Sequence, residues 1–225
     1  MNKLIINVTL TLAVAMSLAL EGCSPNYDRV IEESSKAIKK NPRDSEAYRA
    51  RAGAWEKKGD YDRAIEDYTK AIELDPGDIT LYYLREYLYR ETGDYDLAIA
   101  DCNTMMEIDP GAAKPYYFRC NLYSQKGEYD QAIEDCNKAI ELDPDDAYAY
   151  YFRARVWQEK GDFEEAIKDC TKAIEENQMI WLDVELYRAR AQLWLKKGKV
   201  DRYEEDLAKA KELSDSIPGG QKALD

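Results

Sequence analysis

Among the 225 residues there is no histidine. Its absence removes the usual general base, the serine–histidine triad and the commonest metal ligand. Phenylalanine is scarce as well, 3 residues against 18 tyrosines, so most aromatic bulk carries a polar tip suited to interfaces. The 5 cysteines include no Cys-x-x-Cys pair, and no phosphate loop or nucleophile–base pair is found. We therefore expect no enzymatic activity, no cofactor and no bound metal. Basic residues are outnumbered, 32 Lys and Arg against 45 Asp and Glu, a formal charge of −13. That balance repels a phosphate backbone and argues against a nucleic-acid partner.

Long apolar runs are missing except for one. Leu4 to Leu20 is uncharged, follows Met1-Asn2-Lys3 and ends at Glu21-Gly22-Cys23, the order of a secretory signal. Leu20-Glu21-Gly22-Cys23 resembles a bacterial lipoprotein box, with Glu21 departing from the small or hydroxyl residue usual at its place. The resemblance implies a signal peptide over 1–22, palmitate-type acylation of Cys23 and a short tether over 23–26. It also implies export to the cell envelope, and Ser24 after the lipidated cysteine favours the outer membrane, periplasmic face. Several acyl chains would make membrane attachment stable.

The rest of the chain is periodic. Tyr48, Tyr82, Tyr116 and Tyr150 are 34 residues apart, and so are Gly59, Gly93, Gly127 and Gly161, and Pro42, Pro76, Pro110 and Pro144. A shared period in unrelated residue types means a repeated supersecondary unit. With Ser45 as position 1, each unit reads as two helices. Glycine at position 15 ends the first and proline at position 32 stops the second. Asp60, Asp94 and Asp162 stand where a carboxylate caps the second helix. Ala64, Ala98, Ala132 and Ala166 at position 20 allow close helix approach.

The segments Gly59-Asp60-Tyr61-Asp62-Arg63-Ala64-Ile65 and Ala71-Ile72-Glu73-Leu74-Asp75-Pro76, with their copies, resemble the tetratricopeptide repeat. The resemblance implies an all-α, right-handed superhelical solenoid of helix-turn-helix hairpins over 27–213. Its parts are a leading half repeat at 27–44, full repeats at 45–78, 79–112, 113–146, 147–180 and 184–213, and a flexible tail at 214–225. Positions 21 and 28, apolar inside the array, become Glu204 and Lys211 in the last unit, the polar outer face of a terminal repeat. From this we expect a complete array.

One irregularity interrupts the period. Tyr150 and Tyr187 are 37 residues apart, and Asn177-Gln178-Met179-Ile180-Trp181-Leu182 replaces the Asp-Pro stop. The extra turn is expected to prolong the second helix of the fourth unit. Trp181 either seals that joint or, with Met179 and Ile180, forms an exposed apolar patch for a partner or a second copy.

Two further patterns concern structure. Cys102, Cys136 and Cys170 share position 24 and read as small buried side chains, while Cys120 at position 8 is left with Cys102 or Cys136 as a disulfide partner in an oxidising compartment. Position 7 is Arg51, Arg85, Arg119, Arg153 and Arg190, and position 23 is Asp67, Asp101, Asp135, Asp169 and Asp206. An Arg–Asp bridge tying helices together within units or between neighbours is expected, worth ~1 kcal/mol or less each if exposed.

The resemblance also locates a binding face, because in this family the first helices line a concave groove with positions 2, 5, 9, 12 and 13 facing a ligand. Position 5 reads Arg49, Tyr83, Tyr117, Tyr151 and Arg188; Tyr87, Asn121 and Arg155 occupy position 9, Arg90 position 12, and Lys114 and Tyr148 position 2. Over all five positions Arg49, Lys57, Arg90, Lys114, Arg155, Arg188 and Lys196 outnumber Glu46, Glu56, Glu91, Glu159 and Glu185, so the face is near-neutral, at +2, in a chain of net charge −13. Tyrosine and arginine are the residues enriched at binding hot spots. The alternative is that these tyrosines pack between repeats. The two-carboxylate clamp of chaperone-binding members is absent, since Gly53 follows Arg49 at position 9 and position 6 carries Ala50, Leu84 and Phe118.

The expected function is a membrane-anchored protein-binding adaptor of the bacterial envelope that holds an extended peptide or helix of an unidentified protein. The alternatives are a self-associating structural lipoprotein, a homo-oligomer formed through Trp181 or the array ends, and an assembly factor for an outer-membrane or pilus/secretin complex.

Overall fold

The computed structural model describes residues 26–177 and 179–217. The expected signal segment, Cys23 and most of its tether, and the tail beyond Ile217 lie outside them. The described residues form eleven α-helices: α1 (Tyr27–Lys40), α2 (Ser45–Lys57), α3 (Tyr61–Leu74), α4 (Ile79–Thr92), α5 (Tyr95–Ile108), α6 (Lys114–Gln125), α7 (Tyr129–Leu142), α8 (Ala147–Lys160), α9 (Phe163–Glu176), α10 (Ile180–Lys196) and α11 (Val200–Ser216). The last helix therefore runs past residue 214, where the tail was expected to start.

The chain divides into two compact units, one ending at Leu81 and the other beginning at Tyr82. In the first, α2 packs on both α1 and α3. In the second, α6 pairs with α7, α8 with α9 and α10 with α11, and the hairpins join through α5–α6, α7–α8 and α9–α10. Close approach follows from the small residues: Ala64, Ala98, Ala132 and Ala166 are fully buried, as are Ala71, Ala139 and Ala173 one or two turns on.

The turn chemistry is mostly as expected. Gly161 closes α8 with φ 91°, a left-handed conformation that side chains resist, and the four other repeat glycines share it. The aspartate caps hold only in part. The Asp60 carboxylate accepts from the Arg63 amide at 3.2 Å, whereas Asp94 and Asp162 make no such bond, and Asp94 instead accepts from the Thr92 hydroxyl at 2.7 Å. The 34-to-37 irregularity also resolves differently. α9 stops at Glu176 with the same 14 residues as α3, α5 and α7, and the extra turn lengthens the start of α10 to 17 residues. Asn177 sets this register, because its amide donates to the Met179 carbonyl at 2.7 Å and to Asp183 at 2.9 Å while its oxygen accepts from the Met179 amide.

The Arg–Asp bridges are present in all five hairpins and lie within each hairpin. Arg119 donates from Nε and one terminal nitrogen to both oxygens of Asp135 at 2.7 and 2.6 Å, and Arg153 grips Asp169 at 2.8 and 2.7 Å. Arg51–Asp67, Arg85–Asp101 and Arg190–Asp206 repeat the two-pronged geometry. A third contact was not expected from the spacing. The other terminal nitrogen reaches back to the second helix of the preceding hairpin: Arg51 to Ser35 at 3.1 Å, Arg119 to Asn103 at 2.5 Å, Arg153 to Asn137 at 2.6 Å and Arg190 to Thr171 at 2.9 Å. One guanidinium thus holds three helices. A looser outer clasp joins neighbours at the helix ends, Lys126 to Asp96 and Lys160 to Asp130, both at 2.8 Å.

The aspartates are 3–7% exposed, more buried than a surface pair. Removing one partner then strands a charge away from water. Arg153→Met is expected to lower the unfolding free energy by about 3 kcal/mol, and Arg153→Met with Asp169→Leu by less than the single change. Lys160→Met, which breaks an exposed clasp and a surface contact with the Trp157 ring, should lower the urea midpoint far less. Urea titrations of the three variants check the order.

Candidate functional site

The first helices of the second unit, α4, α6, α8 and α10, carry the residues expected to face a ligand. Tyr83, Tyr148 and Tyr151 are half-buried there, Tyr87 is 38% exposed, and Lys114 and Arg155 are exposed. Two expected face residues are not available to a partner. Tyr117 is 3% exposed and Asn121 is 7% exposed. Tyr117 follows the packing alternative: its ring stacks on Phe152 at 5.4 Å and Tyr148 at 6.1 Å and meets Phe118 edge-on at 5.0 Å.

The position-5 tyrosines Tyr83 and Tyr117 are close enough that, after burial and Asp146, Tyr83 helps to raise the Tyr117 phenol. Phenylalanines at position 6 interleave them, Phe118 meeting Tyr83 at 5.7 Å and Phe152 meeting Tyr151 at 5.6 Å. Trp181 closes the series against Tyr148 at 6.1 Å. A continuous run of rings therefore crosses the first-helix face, with Phe118 and Phe152 as members that the tyrosine pattern alone does not reveal. Edge and offset contacts of this kind each add about 0.5–1.5 kcal/mol beyond area burial, so the face is pre-ordered.

Charge on this face is mostly engaged along its own helices. Arg188 pairs with Glu185 at 3.2 Å, and Arg90 approaches Glu91 at 3.8 Å and lies over the Tyr87 ring at 5.3 Å. Arg155 lies over the Tyr151 ring at 5.9 Å. Burial pushes the Tyr83 phenol up to about 12, with Cys102, Asp109 and Glu86 adding to it, and burial with Asp146 raises Tyr148. Both phenols stay protonated and available as donors. Arg49 belongs to the first unit and is bonded to Glu46 at 2.6 Å.

Trp181 does not seal the last joint. Leu182 and Leu186 do so, 2% and 0% exposed, in a cluster with Ala147, Tyr150 and Ala173. Met179, Ile180 and Trp181 are left 39%, 50% and 50% exposed. Cys120 pairs with Cys136 across α6 and α7, with Cα atoms 5.7 Å apart, and Cys102 and Cys170 are buried free thiols.

Glu86, at position 8 of α4, was not anticipated. It is 2% exposed, and the corresponding residues in the other full hairpins are Ala52, Cys120, Ala154 and Ala191. Burial raises its carboxyl from 4.5 to about 7, partly countered by Arg90 and reinforced by Asp101 and Glu91. Among the described residues no three potential ligands gather as a metal site, and no helix is long and apolar enough to cross a membrane.

The tetratricopeptide repeat pattern matches residues 45–78, 113–146 and 147–179, and a second form of it matches 79–111, together more than half of the chain. Comparison with curated proteins finds no match. Among solved structures, a tetratricopeptide repeat protein from Parabacteroides merdae ATCC 43184 is 25% identical with a TM-score of 0.68, over 87% of this chain and 82% of that one. MamA is 25% identical with a TM-score of 0.59, over 73% of this chain and 94% of that one. YrrB, a TPR protein with an unusual peptide-binding site, shares the fold at 20% identity and a TM-score of 0.55, over 83% and 94% of the two chains.

The raised Glu86 carboxyl makes a pH-dependent penalty. Between its ordinary value and about 7 the unfolded chain has lost this proton while the folded chain keeps it, so stability falls as pH rises through that window and is level above it. Glu86→Gln should therefore be more stable than the parent by about 3 kcal/mol at pH 8, with most of the gain gone at pH 5. Paired urea midpoints at the two pH values measure it.

Proposed function

Because the chain belongs to the tetratricopeptide repeat family, we propose that it is an exported, lipid-anchored adaptor whose first-helix face in the second unit holds an extended segment or helix of another protein. Members of this family are protein–protein interaction scaffolds and are typically not enzymes. The observation that carries the binding reading is the pre-ordered aromatic face, where half-buried Tyr83, Tyr148 and Tyr151 and exposed Arg155 leave donors and ring surface uncovered. A partner gains most where such groups are already held in place, because little ordering entropy is lost on binding. Phenols and guanidinium groups donate to backbone carbonyls or carboxylates. YrrB, described as binding peptide at an unusual site, is a precedent for peptide capture on this fold.

Export and anchoring rest on the box at Leu20 to Cys23. The Cys120–Cys136 disulfide supports that reading, since such bonds persist in oxidising compartments such as the periplasm. Attachment through Cys23, with residue 27 already helical, holds the repeats close to the bilayer. A second reading, self-association, is favoured by the exposed Met179, Ile180 and Trp181. Light scattering over a concentration series discriminates: a strict monomer removes it.

Crosslinking and pull-down from membranes tests the main reading. Tyr83→Ala with Tyr151→Ala should lose proteins that the parent retains, while keeping its helical circular dichroism. Recovery of the same proteins by both defeats the binding face. Cys23→Ser should move the protein from the membrane to the soluble fraction, and unchanged membrane retention defeats the anchor.

A further inference from the structure

The turn between α10 and α11 departs from the other four hairpin turns. Position 16 is acidic in those four, Asp60, Asp94, Glu128 and Asp162, and position 17 carries a ring, Tyr61, Tyr95, Tyr129 and Phe163. In the last hairpin, positions 12 to 17 read Leu195-Lys196-Lys197-Gly198-Lys199-Val200, with three lysines and no acid. Both changes cost local stability. Lys199 stands at the start of α11 without a capping bond, and a positive charge there opposes the helix dipole. Leu195 and Val200 are 44% and 51% exposed, whereas the rings at position 17 of the other turns are half-buried. Further along α11 the positions that are apolar inside the array are Glu204 and Lys211, so the aliphatic exposure at Val200 is not that of a face left open along the helix.

Only part of this charge is engaged locally. Lys197 makes the outer clasp to the preceding hairpin, here to Glu164, as Lys126 and Lys160 do to Asp96 and Asp130. Lys196 and Lys199 are exposed and make no ion pair among the described residues, and Lys196 lies over the Phe163 ring at 5.3 Å. Asp201 follows Val200, and Arg202 is paired with Glu205 at 3.1 Å. The turn therefore keeps a basic surplus in a chain of net charge −13.

A helix-to-helix turn is convex, and this one interleaves aliphatic side chains with lysines. A rigid protein partner would have to supply a cavity for each aliphatic side chain, whereas a bilayer surface yields to both. Aliphatic groups enter its headgroup boundary while lysine stems lie beside them and their ammonium groups meet lipid phosphates. We propose that the α10–α11 turn contacts an anionic phospholipid surface, with Leu195 and Val200 inserted and Lys196 and Lys199 on the phosphates. The acidic remainder of the chain is repelled by such a surface, so attraction at the turn also orients the protein on it. The inference rests on the proposed anchoring. A lysine beside an anionic surface strengthens binding only about fivefold, so the turn alone holds weakly, and becomes effective in a chain already held at Cys23.

The test uses the full chain, with carbon-13-labelled leucine and valine methyl groups, in lipid nanodiscs that contain a doxyl-labelled lipid. One set of discs is phosphatidylcholine and the other has phosphatidylglycerol added, and both are run in excess with Cys23 and with Cys23→Ser. The inference expects the Leu195 and Val200 signals to weaken in the anionic discs while that of buried Leu193 holds, and to weaken less in the neutral discs. Lys196→Glu with Lys199→Glu should cut the contact about twentyfold or more, to the level of Leu193, with the helical circular dichroism unchanged. Undiminished Leu195 and Val200 signals in anionic discs, an equal loss in neutral discs, or no effect of the charge reversal overturns the contact. So does a shift of the two signals that grows with protein concentration in lipid-free solution, which assigns the turn to a second copy. Membrane fractionation of Cys23→Ser reports on the anchor by itself, and the discs read the turn in either case, so failure of one is distinguishable from failure of the other.

Discussion

One half-buried guanidinium per hairpin, gripping a buried aspartate, sets the geometry on which everything else depends. Apolar contacts between alanine-rich helices permit close approach, but they are non-directional and tolerate sliding. A forked arginine does not tolerate it. Arg153 must meet both oxygens of Asp169 and the side-chain oxygen of Asn137, on two different helices. A slip of one residue on either helix would leave Asp169, 5% exposed, as a lone buried charge. The same demand recurs at Arg119 and Arg190, so in these three hairpins the register of the hairpin and of its junction with the one before is fixed by the same side chain.

This arrangement also redistributes the aromatic residues. Rings at positions 4 and 11 flank the guanidinium: Tyr116 and Tyr123 lie 6.0 and 5.7 Å from Arg119, and Tyr150 lies 5.7 Å from Arg153. Cation–π contact in a desolvated setting strengthens the fork. Many of the 18 tyrosines thus serve the scaffold. Those left for a partner are few, and Tyr83 and Tyr151 directly follow Tyr82 and Tyr150 on the same helices, so a rigid fork beside them becomes a rigid surface.

What could be read from the amino-acid order follows from what repeats. Helix ends, the left-handed glycines and the Arg–Asp pairing recur at one period and are legible without coordinates. The third contact of Arg51, Arg119, Arg153 and Arg190 is not, because Ser35, Asn103, Asn137 and Thr171 share only a short polar side chain and not an identity. The place of the extra turn was decided by Asn177, whose amide bonds Asp183 and so starts α10 early. Tyr117 looked like its neighbours at position 5, but Phe152 and Tyr148 of α8 cover it, a three-dimensional fact with no local signal. The anchor at Cys23 rests on sequence alone.

The facing positions 8 and 24 show what the forks make possible. In the fourth hairpin this contact is Ala154 and Cys170, small and buried in one cluster; in the third it is a disulfide; in the second it is Glu86 and Cys102. Three chemistries occupy equivalent places in three hairpins of the same form. Were this contact the one holding the helices together, a carboxyl with an unmade hydrogen bond would open the hairpin. It does not, because Arg85 grips Asp101 one residue away on each helix, at 2.9 and 2.6 Å. Freed from fixing the helices, the 8–24 contact can carry a residue that is costly to stability, as the buried and raised carboxyl of Glu86 is.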